Sequence, residues 1–237
     1  MRRIGFSTGA IARGDFRRAL HLLVAHGLDI AELSALRVDE LEPLVTALPT
    51  LDLSAFTFVS IHTPSRFDRK HELAIVQILT KIAPAFPIVV HPDVVFTPEL
   101  WVHFDSRLLI ENMDKRKTIG RTVTELDTVF TALPDARFCF DVGHARQVDP
   151  SMTESVLLLR EFGARLAEVH ISEVNTSSRH DPISASAVLA FQSVSKYIPD
   201  DTPIVIESLI DEGQSDMLTE VQSAREALEK HLTFAVG

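Results

Sequence analysis

Cysteine is nearly absent from this chain of 237 residues, with Cys139 as its one example. No internal disulfide can form, and the place of Cys139 in an apolar run assigns it to packing. That usage fits a reducing, cytoplasmic compartment. Long hydrophobic runs are missing too. Arg2 and Arg3 are not followed by an extended apolar segment, so neither a secretory signal nor a membrane span is expected. The first strand-to-helix turn lacks the glycine-rich phosphate fingerprint of a dinucleotide fold. Basic charge is outnumbered, and the formal net charge of -10 argues against broad, nonspecific contact with nucleic-acid phosphates. Low-complexity stretches, linkers and repeats are absent.

What remains is ordinary globular composition, 46% hydrophobic and 24% charged. One domain over 1–237 can bury a full core. Strand signals fall at Ile4–Ser7, Asp29–Leu33, Phe56–His62, Ile88–His91, Leu108–Glu111, Arg137–Asp141, Leu166–Ser172 and Pro203–Glu207. Helix signals lie between them. One runs from a cap at Asp15 to about His26, with Gly27 as terminator, and one from a cap at Asp39 to near Pro49. Others cover Arg69–Ile82, a short Pro98–His103, stretches capped at Thr122 or Thr124 and at Ser151, then Ser184–Tyr197 and Ser215–His231. Thr8 and Gly9 read as a turn, and 175–181 as a polar loop. Strands alternating with helices imply parallel strands joined by right-handed crossovers. Eight such units predict the α/β class and a single closed (β/α)8 TIM barrel, with a doubly wound open sheet as runner-up.

Six of these strands end on an apolar residue followed by a metal-ligand type: Ile61-His62, Val90-His91, Ile110-Glu111, Phe140-Asp141, Val169-His170 and Ile206-Glu207. Successive side chains of a strand point to opposite faces, so the six polar residues share one phase and can converge. Buried carboxylates and imidazoles are costly unless paired, hydrogen-bonded or bound to metal. Together they predict a metal site at the mouth of the barrel, with Glu32, His144 and His180 as further candidates there. Mixed carboxylate and imidazole donors suit Zn, Mn, Fe or Co better than Ca, and Zn or Mn is the expectation. Glu111, Asp141, His170 and Glu207 can close around one cation. His62 and His91 can hold a second with Glu111 as a bridge. One ion is the minimum expected, two or three the maximum. The bland alternatives are that Glu32 pairs with Arg37 and that Glu168 and Arg137, lower in the barrel, form a structural ion pair. His21, His26, His71, His103 and His231 fall on helices and are expected to be solvated.

Across nearly its whole length the chain resembles the xylose isomerase-like barrel superfamily, which spans sugar isomerases and epimerases and endonuclease IV-type enzymes. The resemblance rests on Ser60-Ile61-His62-Thr63-Pro64, His91-Pro92, Glu111-Asn112, Asp141-Val142-Gly143-His144, His170, Arg179-His180 and Glu207. It implies that Glu111, Asp141, His170 and Glu207 form a metal quartet. It also implies that His62, His91, His144 and His180 match further ligand positions of the three-metal nuclease branch. Where that branch has Asp-Arg-His, this chain reads Ser178-Arg179-His180, which removes an anionic ligand from the third position.

Two mechanisms follow. In the first, ranked narrowly ahead, the protein isomerises or epimerises a small sugar or hydroxy-ketone. Glu111 and Glu207 remove and return a proton on carbon, and His144, Arg179 and Glu32 bind the substrate. In the second, clustered metals hydrolyse a phosphodiester in abasic-site DNA. The extra histidines favour the nuclease. The Ser178 departure and the acidic balance count against it, so nucleic acid is the less favoured partner. Arg66, Arg69-Lys70 and Lys115-Arg116-Lys117 lie beside the mouth, flanked by no aromatic residue except Phe67, and read first as a solvated face. A non-catalytic metal-binding module is the third reading. Exposed helices around a barrel leave room for an oligomer.

Overall fold

A computed structural model of the chain describes residues 2–210 and 216–229. Eight strands close into a parallel barrel: β1 Ile4–Ser7, β2 Ile30–Ser34, β3 Phe58–His62, β4 Ile88–Val90, β5 Leu108–Glu111, β6 Arg137–Asp141, β7 Leu166–Ile171 and, after a small hairpin of β8 Glu173–Val174 and β9 His180–Asp181, β10 Ile204–Ile206. Strand β1 pairs with both β2 and β10, which completes the ring. Helices return the chain between strands: α1 Thr8–Ala12, α2 Phe16–Ala25, α3 Val38–Ala47, α4 Arg69–Leu79, α5 Val123–Ala132, α6 Val142–Val148, α7 Thr153–Phe162, α8 Ala185–Gln192 and α9 Met217–Leu228. The expected TIM barrel is the observed fold.

The alternation of side chains divides the apolar residues into two packed regions. Outward-facing Ile61, Val90, Ile110, Phe138, Phe140, Val169 and Ile206 join the helices in one large core. Inside the barrel, Val89, Leu109 and Cys139 form a small separate plug. Each is two residues before His91, Glu111 or Asp141, so the plug lies directly below the polar mouth. Cys139 is buried there, as expected of a packing residue. A register shift between Phe138 and Cys139 pairs Cys139 with Glu168 and Asp141 with His170.

Several local features differ from the expectations. Strand β2 runs on to Ser34, which leaves Glu32 two residues short of its end. Helix α3 is capped by the residue before Val38, not by Asp39: the Arg37 backbone N–H donates to the Glu40 carboxylate at 3.1 Å. Thr8 and Gly9 begin a short helix and not an open turn. Pro98–Leu100 and Val102–Arg107 are 3-10 turns. Met152, in place of the expected Ser151, directly precedes α7, although Ser151 Oγ still receives the Thr153 N–H. The polar loop at 175–181 is the turn of the β8–β9 hairpin. Asp15 and Thr122 do cap α2 and α5. Ser215 and His231 lie outside the described residues, while His21, His26, His71 and His103 are exposed. Among the described residues, no helix is long and apolar enough to cross a membrane.

Candidate metal centre

The strand ends deliver their polar residues to a common point. One ligand atom each from Glu111, Asp141, His170 and Glu207 lie within 4.8 Å of one another. His170 Nδ1 is 3.8 Å from Glu111 Oε1 and 3.6 Å from Glu207 Oε2. The other oxygen of Glu111 faces a second group: Oε2 is 3.1 Å from His62 Nε2 and 3.2 Å from His91 Nε2. Asp141 in turn is shared with a third group, formed with His144 and His180, whose ligand atoms also fall within 4.8 Å. Glu111 and Asp141 therefore link three adjoining clusters.

Local structure explains how Glu111, Asp141 and His144 are aimed. Asn112 Nδ2 donates to the Asp141 carbonyl and its Oδ1 receives the Asp141 N–H, both at 2.8 Å, which locks the ends of β5 and β6 together. Asp141 then caps α6, accepting the His144 N–H on Oδ1 at 2.7 Å. This leaves Oδ2 turned to the histidine cluster, 3.3 Å from His144 Nδ1. Gly143 is required at the turn, because a Cβ there would sit 2.4 Å from the Ser172 carbonyl oxygen. His180, on β9, meets Ser172 Oγ at 2.8 Å and Glu207 Oε2 at 3.4 Å. Its ring is 5.2 Å from that of His144.

Hydrogen bonding leaves this site incomplete. Asp141 Oδ2, Glu207 Oε2, Glu32 Oε2, Glu168 Oε2 and both ring nitrogens of His170 are buried without a hydrogen-bond partner. Unsatisfied buried polar atoms are rare, and three of these, Asp141 Oδ2, Glu207 Oε2 and His170 Nδ1, belong to the quartet, while Glu32 Oε2, Glu168 Oε2 and His170 Nε2 lie behind the His170 ring. The donors fit a transition-metal ion, being mixed imidazole and carboxylate. Protonation follows the same logic. Burial alone would raise the Glu111 carboxyl, but His91, His144, His170 and His62 outweigh it and hold Glu111 well below the ordinary range. Burial opposes charge on His62 and His144, yet Glu32, Glu111, Asp141 and Glu207 push them up to about 9 and about 10. Glu207 is pushed up to about 8, first by burial and then by the neighbouring carboxylates, against the pull of His170.

The remaining candidates fare unevenly. Glu32 is fully buried; its Oε2 lies 3.1 Å from His170 Nε2, and Ser34 Oγ donates to its Oε1 at 3.1 Å. Its expected partner Arg37 pairs with Glu40. Arg179 is exposed beside Asp181, 3.5 Å away, and does not line the cavity. The Glu168–Arg137 pair does not form: Glu168 accepts from Ser60 Oγ at 2.8 Å, and Arg137 donates to the Leu166 carbonyl. His144, expected at substrate, is among the ligand-type groups. No pattern in the amino-acid order marks buried Asp114 or half-buried Asp93 as neighbours of the site, because they sit outside the strand phase, whereas Lys117 is expected beside the mouth. Lys117 is ion-paired to Asp93 at 2.8 Å, and its Nζ lies 3.3 Å from His91 Nδ1. The cavity above the clusters has a volume of about 450 Å³ and is rimmed by Arg37, Arg66, Arg116 and Lys117. Arg66 alone of these forms no ion pair or hydrogen bond among the described residues.

No protein-family model matches this sequence, and no curated protein matches it. Solved structures do resemble it. Endonuclease IV from Thermus thermophilus is 20% identical, with a TM-score of 0.60 over 94% of this chain and 96% of that one. A xylose isomerase-like TIM barrel protein from Mycobacterium smegmatis, in complex with magnesium, is 13% identical with a TM-score of 0.56, covering 96% and 98% of the two chains. The 3-keto-D-glucoside 4-epimerase of E. coli is 14% identical with a TM-score of 0.54, covering 96% and 98%. The chain shares the TIM-barrel fold of these structures.

Proposed function

We propose that this protein is a metal-dependent phosphodiesterase of the endonuclease IV kind, its site residues being those that line the three linked clusters. One observation carries the reading. His62, His91, His144 and His180 do not scatter into structural roles but join the quartet through Glu111 and Asp141. An isomerase needing one cation has little use for them. Divalent ions bound there would supply Lewis-acid charge neutralisation and activation of water. In the reaction, water adds to phosphorus, one ester P–O bond breaks, and the departing oxygen takes up a proton. The chain's own contribution is positional. Glu111 is placed to serve two clusters through its two oxygens, and the guanidinium of Arg66, unpaired among the described residues, is placed to orient a phosphate at the rim. The Glu111, Asp141 and His170 side chains are themselves buried, where electrostatics act most strongly.

The small-sugar epimerase remains the second reading, favoured by Glu207, which holds a proton near neutral pH beside Glu111. Incubation of the zinc- or manganese-loaded protein with an abasic-site duplex and with an undamaged duplex tests the ranking. Cleavage confined to the abasic strand and lost on chelation is expected. No cleavage, together with epimerisation of a keto-sugar, would reverse the order.

A further inference from the structure

The cluster of Asp141, His144 and His180 has a neighbour that no strand-end pattern marks. Asp114, on the loop after β5, is 3% exposed and lines the same cavity as His144, Ser178 and His180. Its two oxygens are used unequally. Oδ1 accepts from the Arg116 N–H at 2.7 Å, from Ser178 Oγ at 2.9 Å and from Arg116 Nε at 3.3 Å. Oδ2 has one long contact, Arg116 Nη2 at 3.3 Å, and that arginine side chain is 45% exposed.

Ser178 cannot serve in its stead. Its backbone is left-handed, with φ of 53°, and its hydroxyl donates to Asp114 while accepting from Gln147 Nε2 at 2.9 Å. Across the cluster, Asp141 Oδ2 is fully buried, faces His144 and has no hydrogen-bond partner. That oxygen is a donor open to a cation, but Asp141 is shared with the quartet. Two neutral imidazoles and a shared carboxylate are a weak set for a divalent ion. A carboxylate of the cluster's own is needed, and Asp114 lines the same cavity and is hydrogen-bonded to Ser178, two residues before His180.

We propose that Asp114 is the dedicated anionic ligand of the His144–His180 cluster, taking a divalent cation through Oδ2 when Arg116 swings outward. The carboxylate has thus moved to a different loop from the one that carries Ser178. This inference rests on reading that cluster as a metal position.

The test counts metal rather than turnover. Full-length protein is saturated with Zn2+, desalted against a weak chelator, and its zinc per chain measured by mass spectrometry, with a thermal melt as the folding control. Asp114→Asn is nearly isosteric and is expected to lose about one ion per chain relative to the unsubstituted protein. Adding Ser178→Asp to the same chain is expected to restore it. Arg116→Ala, which removes the competing cation, is expected to keep the last ion at a chelator concentration that strips the unsubstituted protein. Equal zinc content with and without Asp114→Asn, or no gain from Arg116→Ala, overturns the assignment of Asp114 and leaves the phosphodiesterase reading standing. An unsubstituted protein that never holds more than two ions overturns both. Three ions without abasic-site cleavage overturns the activity alone.

Discussion

Glu32 Oε2 lies 3.1 Å from Nε2 of His170, whose other ring nitrogen faces Glu111 and Glu207. The carboxylate thus stands behind the imidazole, on the side away from the quartet. A hydroxyl pair, Ser7 Oγ and Ser34 Oγ at 2.5 Å, backs it in turn. A carboxylate in that place favours the proton on the nearer nitrogen of His170 and would leave the other free to bind a cation.

Glu32→Gln is therefore expected to weaken zinc binding by about 10- to 100-fold while the protein stays folded. Glu32→Ala, which removes one member of a buried ionic pair, is expected to cost about 3–5 kcal/mol of stability in the metal-free form. Competition with a fluorescent zinc chelator measures the first effect and denaturant unfolding the second. Unchanged zinc affinity in Glu32→Gln would remove Glu32 from any role behind His170.

Glu111→Gln substitutes the residue that links two clusters at nearly constant shape. Loss of activity by more than about 100-fold is expected, with zinc content reduced and the melting temperature of the metal-free protein little changed. Full turnover on the abasic duplex would contradict the central position given to Glu111.

Metal binding and pH are coupled with a definite sign. His62 and His144 have folded values of about 9 and about 10, raised above an ordinary histidine. Their contribution to metal-free stability is fully present below about pH 6.5 and lost as pH rises through those folded values. Glu207, raised to about 8, acts in the same direction: the folded state favours its neutral form, and that advantage disappears as pH rises through about 8. Zinc must displace these protons, so its apparent affinity is expected to rise with pH across the same window. Melting curves with and without zinc, collected from about pH 6 to about pH 10, should show the metal-free protein weakening and the zinc-dependent increment growing. A zinc increment independent of pH would show that the cation does not replace those protons.

Gly143→Ala places a methyl group 2.4 Å from a backbone oxygen, a neighbour that cannot rotate away. The turn holding Asp141 and His144 must shift, at a cost of about 1–3 kcal/mol. A lower melting temperature accompanied by reduced zinc content is expected. Zinc binding at the unsubstituted level would show that the two ligand groups tolerate the displaced turn.

The strand-end pattern was legible because alternation is a local property. Once Ile110 and Phe140 are placed outward, Glu111 and Asp141 must face inward, and the same holds for His62, His91, His170 and Glu207. Where a strand stops is less local. Glu32 passed for a mouth residue because β2 continues to Ser34 through its pairing with β3, in which Ser34 lies opposite His62. Loop residues carry no phase at all. Nothing in the order Glu111-Asn112-Met113-Asp114 distinguishes a solvated aspartate from one held under Ser178, and Arg179 looked as well placed as His180 until the hairpin turned it outward.

The amino-acid order by itself determined a parallel eight-stranded barrel and the inward phase of its ligand-type side chains, because helix and strand periodicities follow from backbone geometry alone. Only the closed ring decided which of those side chains share a cation. Distance across a barrel depends on register and closure, and these are set by pairings between strands far apart in the chain.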